Sequence, residues 1–187
     1  MSRYFAGLAV PECPALLALK TGIETRARRA GLVLRETAAV DLHLTLYFFG
    51  ALAPEKILEA RAALAEATLT SLAVEFEAKG VGAFPEAGAA RVVWAGLADS
   101  SSLRLLQKKL ENALALRGFP REEKAFVPHI TLLRLRPPAD ASALIAPDAS
   151  KSIAAFRAHE LVLYESRGGD NIPRYLPVQS FALSGAP

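Results

Sequence analysis

The sequence is poor in the residue types that build disulfide frameworks and metal sites. It contains one cysteine, Cys13, and three histidines in 187 residues. A single cysteine excludes an internal disulfide and a cysteine-based zinc site. The sequence contains no Gly-x-Ser-x-Gly and no His-Glu-x-x-His. These absences argue against a serine hydrolase of the nucleophile-elbow type and against a metalloprotease-like zinc enzyme.

Long apolar stretches are also missing. No apolar run approaches the roughly 20 residues that a membrane-spanning helix needs. The N-terminal segment contains apolar residues, but they are too few for the hydrophobic part of a signal peptide, and we interpret the segment as a first strand. We therefore expect a cytoplasmic protein.

The composition is that of a folded domain with a mild excess of positive charge. Hydrophobic residues make up 52% of the chain and charged residues 22%, which is typical of a globular protein. The net charge is +3 and the isoelectric point is about 9.2. This charge is compatible with an anionic ligand but is far from that of a protein that coats nucleic acid.

Two of the three histidines lie in nearly identical tetrapeptides. The first runs from His43 through Leu44 and Thr45 to Leu46, and the second is His129-Ile130-Thr131-Leu132. Both are flanked by apolar residues that favour strands. On a strand, the His and Thr of each copy share one face and the two aliphatic residues share the other. Two such faces brought together would form a groove with two imidazoles and two hydroxyl groups.

This set of groups can perform acid–base chemistry on a phosphate without a metal. An imidazole exchanges a proton near neutral pH, and a threonine hydroxyl can donate a hydrogen bond to a phosphate oxygen. In an in-line displacement at phosphorus, one histidine takes a proton from the nucleophile and the other gives a proton to the leaving oxygen. Because the two histidines must differ in protonation, we predict a bell-shaped dependence of rate on pH.

The hydrophobic pattern predicts alternating strands and helices. We predict helices over 14–30, 54–67 and 100–117, the last capped by a serine. Strands are predicted over 3–10, 41–49, 72–84, 91–97, 126–135, 160–166 and 175–183. Prolines 137 and 138 are expected to end the strand that carries the second motif, a loop to cover 137–152, and a turn to cover 167–171. Each motif lies on a strand that follows a helix, so we expect two related halves of about 90 residues each.

At these motifs the chain resembles the 2H phosphoesterase superfamily, which is defined by two His-x-Thr/Ser-x motifs. Within it, the chain is similar to the RNA 2′,3′-cyclic phosphodiesterases, also known as 2′-5′ RNA ligases. The two matching motif segments are 41–50 and 126–134. Supporting matches follow in order along the chain at 3–8, 82–85, 91–97 and 163–166. The resemblance therefore covers the whole of residues 1–187.

The resemblance implies a bilobal α+β fold in a single domain. Two antiparallel-rich sheets would face each other across a central groove, with helices outside, and each of two pseudo-two-fold-related lobes would contribute one motif strand. It also implies metal-independent hydrolysis of a terminal 2′,3′-cyclic phosphate of RNA to a 2′-phosphomonoester. His43 would be the proton donor and His129 the proton acceptor, while Thr45 and Thr131 would bind phosphate oxygens. No cofactor is implied.

Two further residues are candidates for substrate binding. The family usually has a basic residue at the position of Tyr47, which lies four residues from His43 and should face the same groove. Tyr47 could stack on a base or simply pack in the core. Arg134 matches a residue that the family commonly has after the second motif. Its odd offset from His129 points it to the opposite face of a regular strand, so it reaches a phosphate only if the strand bends or ends there.

Three alternatives stay open. A protein that binds RNA ends without turnover would use the same groove. A 2′-5′ RNA ligase would run the reverse reaction with the same residues. A metallohydrolase would need His43, His129, His159 and Asp41 as ligands, but no recognised ligand spacing supports it. We expect a monomer whose partners are RNA ends with a 2′,3′-cyclic phosphate, or small cyclic nucleotides, and not a membrane.

Overall fold

Residues 2–167 and 174–183 are described by the structure, a computed structural model. Their strands are β1 (Arg3–Ala9), β2 (Leu34–Glu36), β3 (His43–Ala51), β4 (Val74–Phe84), β5 (Ala90–Leu97), β6 (His129–Ala139), β7 (Ser152–Ala158), β8 (Glu160–Ser166) and β9 (Tyr175–Ala182). Their α-helices are α1 (Pro14–Arg29), α2 (Pro54–Leu69), α3 (Ser101–Ala115) and α4 (Ser142–Ile145). Single turns of 3₁₀-helix cover Ala39–Asp41, Ala87–Ala89 and Ala146–Asp148.

The strands of the described residues form one antiparallel sheet, in which the two motif strands, β3 and β6, are neighbours. The strand order is β7-β4-β5-β6-β3-β1-β8-β9. Strand β2 pairs with residues 133–135 of β6, which β3 does not pair with. A single residue pair, Leu44 with Ile130, joins β3 to β6. The resemblance implied two antiparallel sheets, whereas the strand pairings join both into one continuous sheet, whose two halves meet where the two His-x-Thr motifs lie. The expected α+β class is confirmed.

The helices cover the apolar face of the sheet. Buried residues of α1, α2 and α3 form one cluster with alternate residues of the strands, including Leu44 and Ile130. The helix boundaries follow local chemistry, since Ser100 accepts a hydrogen bond from the backbone N–H of Leu103 and so caps α3. Gly118 follows α3 with φ of 73°, a left-handed conformation that favours glycine at a helix end. The three long predicted helices are confirmed within a few residues.

The strand predicted over 126–135 was wrong at both ends. It begins at His129, and it continues through Pro137 and Pro138 to Ala139. The prolines are tolerated because β5 pairs first through Val92 with Arg134 and next through Ala90 with Ala139. They lie in the irregular stretch between these pairs, where the ladder requires no N–H from either residue.

The region predicted as a loop contains regular structure. Besides the end of β6, it holds α4 and the 3₁₀ turn at Ala146–Asp148, and β7 begins at its end. Neither β7 nor the three-residue β2 was predicted. The turn predicted over 167–171 lies almost entirely outside the described residues. None of the described helices is both long and apolar enough to cross a membrane.

Candidate functional site

The two His-x-Thr motifs face the same side of the sheet at the junction of β3 and β6. In both motifs the aliphatic residues are fully or almost fully buried, whereas the histidine and threonine are only partly buried. The predicted division of faces is therefore confirmed. Because the strands are antiparallel about the Leu44–Ile130 pair, His43 lies across from Thr131 and Thr45 lies across from His129 in the register. The two imidazoles and the two hydroxyl groups thus lie on one face of the two paired strands, and the space over this face is the groove.

Both imidazole rings are oriented by the same kind of backbone hydrogen bond. Nδ1 of His43 lies 2.7 Å from the carbonyl oxygen of Asp41, and Nδ1 of His129 lies 2.8 Å from that of Val127. A carbonyl oxygen only accepts hydrogen bonds, so each Nδ1 carries a proton and donates it. This leaves Nε2 as the nitrogen that can take up or release a proton.

Aromatic rings enclose each histidine. The His43 ring lies 4.6 Å from the Phe5 ring and 4.7 Å from the Tyr175 ring, between centroids. The His129 ring lies 4.9 Å from the Phe84 ring and meets it edge to face. These contacts remove water from the imidazoles, and loss of water disfavours the charged form of a histidine.

Burial consequently lowers the pKa of both histidines. For His43 the pKa falls from 6.5 to about 4, and for His129 it also falls below 6.5. The positive charge of Arg134 lowers both pKa values further. The Nδ1 hydrogen bonds act in the opposite direction, as does the charge of Asp41 on the pKa of His43. In the free protein, both imidazoles are therefore mainly neutral at pH 7.

A bulge in β6 turns Arg134 toward the groove. Thr131 pairs with Trp94, but Leu133 pairs with the very next residue, Val93, so β6 carries one extra residue there. Leu132 and Leu133 are both buried, and the alternation of faces shifts by one position. Arg134 therefore shares the face of His129, despite its odd offset. The bulge is therefore the bend that Arg134 needs in order to reach a phosphate bound in the groove.

An equivalent bulge in β3 has the opposite consequence for Tyr47. On β1, Gly7 pairs with Thr45 and Ala6 pairs with Tyr47, so β3 also carries an extra residue after its motif. Tyr47 is only 5% exposed, and its hydroxyl donates a 2.6 Å hydrogen bond to the carbonyl of Pro120. The expectation that Tyr47 faces the same side as His43 was wrong, because the bulge shifts the alternation. The structure favours the packing role.

Phe48 occupies the position in the groove that was predicted for Tyr47. It is 51% exposed and pairs with Phe5, whose ring contacts His43, so both lie on the groove face. Phe48 follows His43 by five residues, as Arg134 follows His129. The two motif strands therefore present matching sets, with an aromatic ring in one and a guanidinium group in the other. Residue spacing carried no signal for Phe48, because a bulge cannot be recognised from the residues that form it.

A cavity of about 780 Å³ opens beside Thr45 and His129. Its walls are mainly apolar and include three phenylalanines that were not predicted to bind substrate: Phe48, Phe84 and Phe126. Besides the motif residues, the polar side chains that line it are those of Tyr47, Arg91, Gln107, Glu122 and Lys124. An apolar cavity with a few convergent polar groups is typical of a site for a small organic ligand such as a nucleoside.

The third histidine lies apart from this groove. His159 lies between β7 and β8, and its carbonyl accepts a hydrogen bond from the N–H of Leu183. Within residues 2–167 and 174–183, no group of three or more His, Cys, Asp and Glu side chains could hold a metal ion.

Comparison with known proteins relates the whole arrangement to one family. A family model described as the 2′-5′ RNA ligase superfamily matches residues 22–170. An RNA 2′,3′-cyclic phosphodiesterase of Geobacillus stearothermophilus is 31% identical over 151 residues, which cover 79% of this chain and 47% of that protein. This chain spans about half the length of the first curated relatives that it matches.

Solved structures show the same fold. The Thermus thermophilus protein TT0787 superposes with a TM-score of 0.74 at 23% sequence identity, over 98% of both chains. Escherichia coli LigT in complex with 3′-AMP superposes with a TM-score of 0.69 at 25% identity, also over 98% of both chains. These superpositions extend over nearly all of the sheet and helices described above.

Proposed function

Because the chain belongs to the 2′-5′ RNA ligase superfamily, we propose that it hydrolyses the terminal 2′,3′-cyclic phosphate of RNA to a 2′-phosphomonoester. The observation that carries the proposal is the pair of imidazoles on neighbouring strands, each with Nδ1 bound to a backbone carbonyl. The names of relatives support the substrate class, since they include RNA 2′,3′-cyclic phosphodiesterases.

The proposed reaction transfers one proton at each histidine. Nε2 of His129 accepts a proton from water as the water oxygen attacks phosphorus. The bond between phosphorus and the 3′-oxygen then breaks, and Nε2 of His43 donates a proton to that oxygen. The product carries a 2′-phosphate and a 3′-hydroxyl group. Exchange of protons with solvent returns both imidazoles to their starting states.

The remaining groove residues bind the substrate in this proposal. Thr45 and Thr131 donate hydrogen bonds to the phosphate oxygens, and Arg134 neutralises the phosphate charge. The nucleoside occupies the cavity beside Thr45, where Phe48 offers a ring for base stacking. Tyr47 also lines this cavity, where its buried ring, held by the bond to the Pro120 carbonyl, supports the wall.

Substrate binding must also change the protonation of His43. A proton donor has to be charged before the reaction, yet burial lowers the pKa of free His43 to about 4. The cyclic phosphate is an anion, and a nearby negative charge favours the imidazolium form. We therefore propose that the bound substrate raises the pKa of His43, so that His43 takes up a proton from solvent. His43 later donates this proton to the 3′-oxygen of the substrate.

The test is turnover of a dinucleotide with a 2′,3′-cyclic phosphate in the presence of a chelator. We expect hydrolysis to a 2′-phosphate, identified by phosphorus NMR. His43→Ala and His129→Ala should each reduce kcat by about 10²–10⁴-fold, which is the range of general acid–base catalysis. His159→Ala is the matched control and should retain activity. Binding without turnover in the wild-type protein would instead support a module that binds RNA ends.

The ligase reaction is the second candidate, because the family model carries that name. It uses the same two histidines, with a 5′-hydroxyl group of RNA in place of water as the attacking group in one direction. Measuring both reactions at equal enzyme concentration separates them. We further propose that the two halves of the sheet act as two lobes of one domain over residues 1–187. The monomeric state and the cytoplasmic location stay predictions from the sequence.

A further inference from the structure

A buried carboxylate lies directly behind the first motif. Asp41 ends the 3₁₀ turn that precedes β3, and it is only 2% exposed. Its Oδ1 accepts hydrogen bonds from the backbone N–H groups of Arg174 at 2.7 Å and Tyr175 at 3.2 Å. Asp41 therefore connects the strand that carries His43 with the start of β9, which lies far away in the sequence.

The same residue also determines the orientation of the His43 ring. The carbonyl oxygen of Asp41 accepts the Nδ1–H of His43 at 2.7 Å. Tyr175, whose N–H is bound by the Asp41 side chain, packs its ring edge to face against His43, with centroids 4.7 Å apart and planes at 76°. One residue thus contacts the histidine directly through its carbonyl and indirectly through Tyr175.

A neutral side chain could accept the hydrogen bonds from the N–H groups of Arg174 and Tyr175 without the free-energy cost of burying a charge. Burying a carboxylate without full hydrogen bonding is unfavourable, and among the described residues the second oxygen, Oδ2, has no hydrogen-bond partner. Asparagine would still offer one oxygen to the two N–H groups. The presence of a charge at this position therefore requires an explanation beyond the link to β9.

From this arrangement we propose that Asp41 is a positioning residue for His43. Its carbonyl fixes the ring through Nδ1, its carboxylate holds Tyr175 against the ring, and its negative charge favours the protonated imidazole that a proton donor needs. The proposal rests on the proposed function, which makes His43 the donor.

Other groups around His43 lower its pKa, so the pKa reflects a balance between these groups and Asp41. Burial lowers the pKa of His43, and the charges of His129 and Arg134, both on β6, lower it further. Tyr164 on β8 and Tyr175 on β9 contribute rings to the enclosure. Of the charged groups within residues 2–167 and 174–183 that act on this pKa, Asp41 is the one that raises it.

The experiment compares Asp41→Asn, Asp41→Ala and Asp148→Asn. Asp148 is the matched control, because it is also a buried aspartate in a 3₁₀ turn but binds Arg26. Each variant is assayed for kcat and KM with a cyclic-phosphate dinucleotide, for thermal unfolding, and for the pKa of His43 by NMR of the labelled imidazoles. The chain has only three histidines, so single His→Asn variants assign the signals.

We expect Asp41→Asn to fold, to lower kcat about tenfold with little change in KM, and to lower the pKa of His43, since one pKa unit is tenfold in proton occupancy. Asp41→Ala should lower kcat further, because the link to Tyr175 is also lost. Asp148→Asn should lower the unfolding temperature but change neither kcat nor the pKa of His43.

Wild-type kcat and an unchanged His43 titration in Asp41→Asn would overturn the proposal. So would a loss of kcat in Asp148→Asn equal to that in Asp41→Asn, since both would then reflect stability alone. If the wild-type protein shows no turnover, the proposed function fails. The NMR titration still tests the action of Asp41 on His43 in that case, so the two failures are distinguishable.

Discussion

At the scale of single residues, Arg134 combines two effects that a substitution can separate. Its charge lowers the pKa of both motif histidines, and it faces the groove where the phosphate is proposed to bind. Arg134→Gln should therefore raise both pKa values and move the kcat/KM optimum to higher pH, while KM increases because the anion loses its partner. The pH dependence of kcat/KM measures this. Arg157→Gln, on the exposed edge strand β7, is the control.

The same pKa values predict where the bell-shaped profile lies. The pH dependence of kcat/KM reports the free enzyme, and that of kcat reports the enzyme–substrate complex. Because burial lowers the pKa of His43 to about 4 and that of His129 below 6.5, the maximum of kcat/KM should lie below pH 6.5. The maximum of kcat should lie at higher pH, since the bound anion favours the imidazolium form. Coinciding maxima would contradict recruitment of the proton by the substrate.

Tyr47 and Phe48 are adjacent in sequence but should behave differently when altered. Phe48→Ala removes a half-exposed ring from the groove, so we expect a higher KM for nucleotide substrates and little change in unfolding temperature. Tyr47→Phe removes the hydrogen bond to Pro120, which should cost about 1 kcal/mol of stability and leave kcat unchanged. Steady-state kinetics and urea unfolding of both variants check the contrast. Reversed effects would show that Tyr47 faces the substrate after all.

The residue-scale predictions from the sequence succeeded where the strands are regular and failed where they are not. Period two correctly placed His43, Thr45, His129 and Thr131 on one face. It misplaced Tyr47 and could not settle Arg134, because one extra residue in each strand reverses the alternation. The proposed role of Asp41 in positioning His43 depends on contacts with β9. The sequence around Asp41 does not indicate a partner so distant along the chain.

At the scale of secondary-structure elements, the pairing of β1 with β3 fixes the position of the first motif. Gly7 on β1 pairs with Thr45, and a Cβ added at Gly7 would lie 2.6 Å from the carbonyl oxygen of Leu44. Gly7→Ala should therefore displace β3, lower the unfolding temperature and reduce kcat more than KM changes. Gly22→Ala is the matched control: it lies in α1, where the added Cβ would make an ordinary contact 3.7 Å from Arg26.

The two glycine variants should change stability in opposite directions. Alanine in a helix interior is more favourable than glycine by roughly 0.5–1 kcal/mol, so Gly22→Ala should be neutral or stabilising. Thermal unfolding and kinetics of both variants measure the contrast. Retained activity in Gly7→Ala would mean that β3 adjusts without moving His43.

The helices and strands were predicted accurately where capping residues and hydrophobic periodicity agree. They were predicted poorly where pairing with a neighbouring strand determines whether a strand forms and where it ends. Helices α1, α2 and α3 carry proline or serine at their starts and apolar residues at helical spacing, so local signals sufficed. Strand β2 has three residues and depends on β6 for its existence. The extension of β6 past its prolines depends on how β5 pairs with it, which is a property of the sheet and not of the segment.

At the scale of the whole molecule, the site exists only because the two halves of the sheet meet. Each half contributes one histidine and one threonine, and a single residue pair joins β3 to β6. The motif histidines and threonines on the groove face are only partly buried, which leaves them accessible to a ligand. The buried leucines and isoleucine beneath it pack in the same core as the helices. We therefore expect the core to fold and the groove to assemble together, so that the free energy of unfolding depends on the histidines that line the groove.

That dependence predicts how stability changes with pH. In the unfolded chain an imidazole has a pKa near 6.5, whereas burial lowers the pKa of His43 in the folded protein to about 4. Between these values the unfolded state binds more protons, so the free energy of unfolding falls as the pH falls through this range. At about pH 5, His43 alone should cost ~2 kcal/mol relative to pH 7, since one pKa unit is worth about 1.4 kcal/mol. His129, whose pKa is also lowered, adds in the same direction.

The contribution of His43 can be isolated from that of the carboxylates, which also titrate in acid. In His43→Asn the side chain can still donate to the Asp41 carbonyl but no longer titrates. The difference in stability between about pH 7 and pH 5 should therefore be smaller in this variant than in the wild-type protein by ~2 kcal/mol. Urea unfolding at the two pH values measures it, and His129→Asn should remove a further part of the difference. An equal pH dependence in His43→Asn and wild type would mean that the folded protein accepts a proton on His43 as readily as the unfolded chain. In that case His43 would need no substrate anion to become a proton donor.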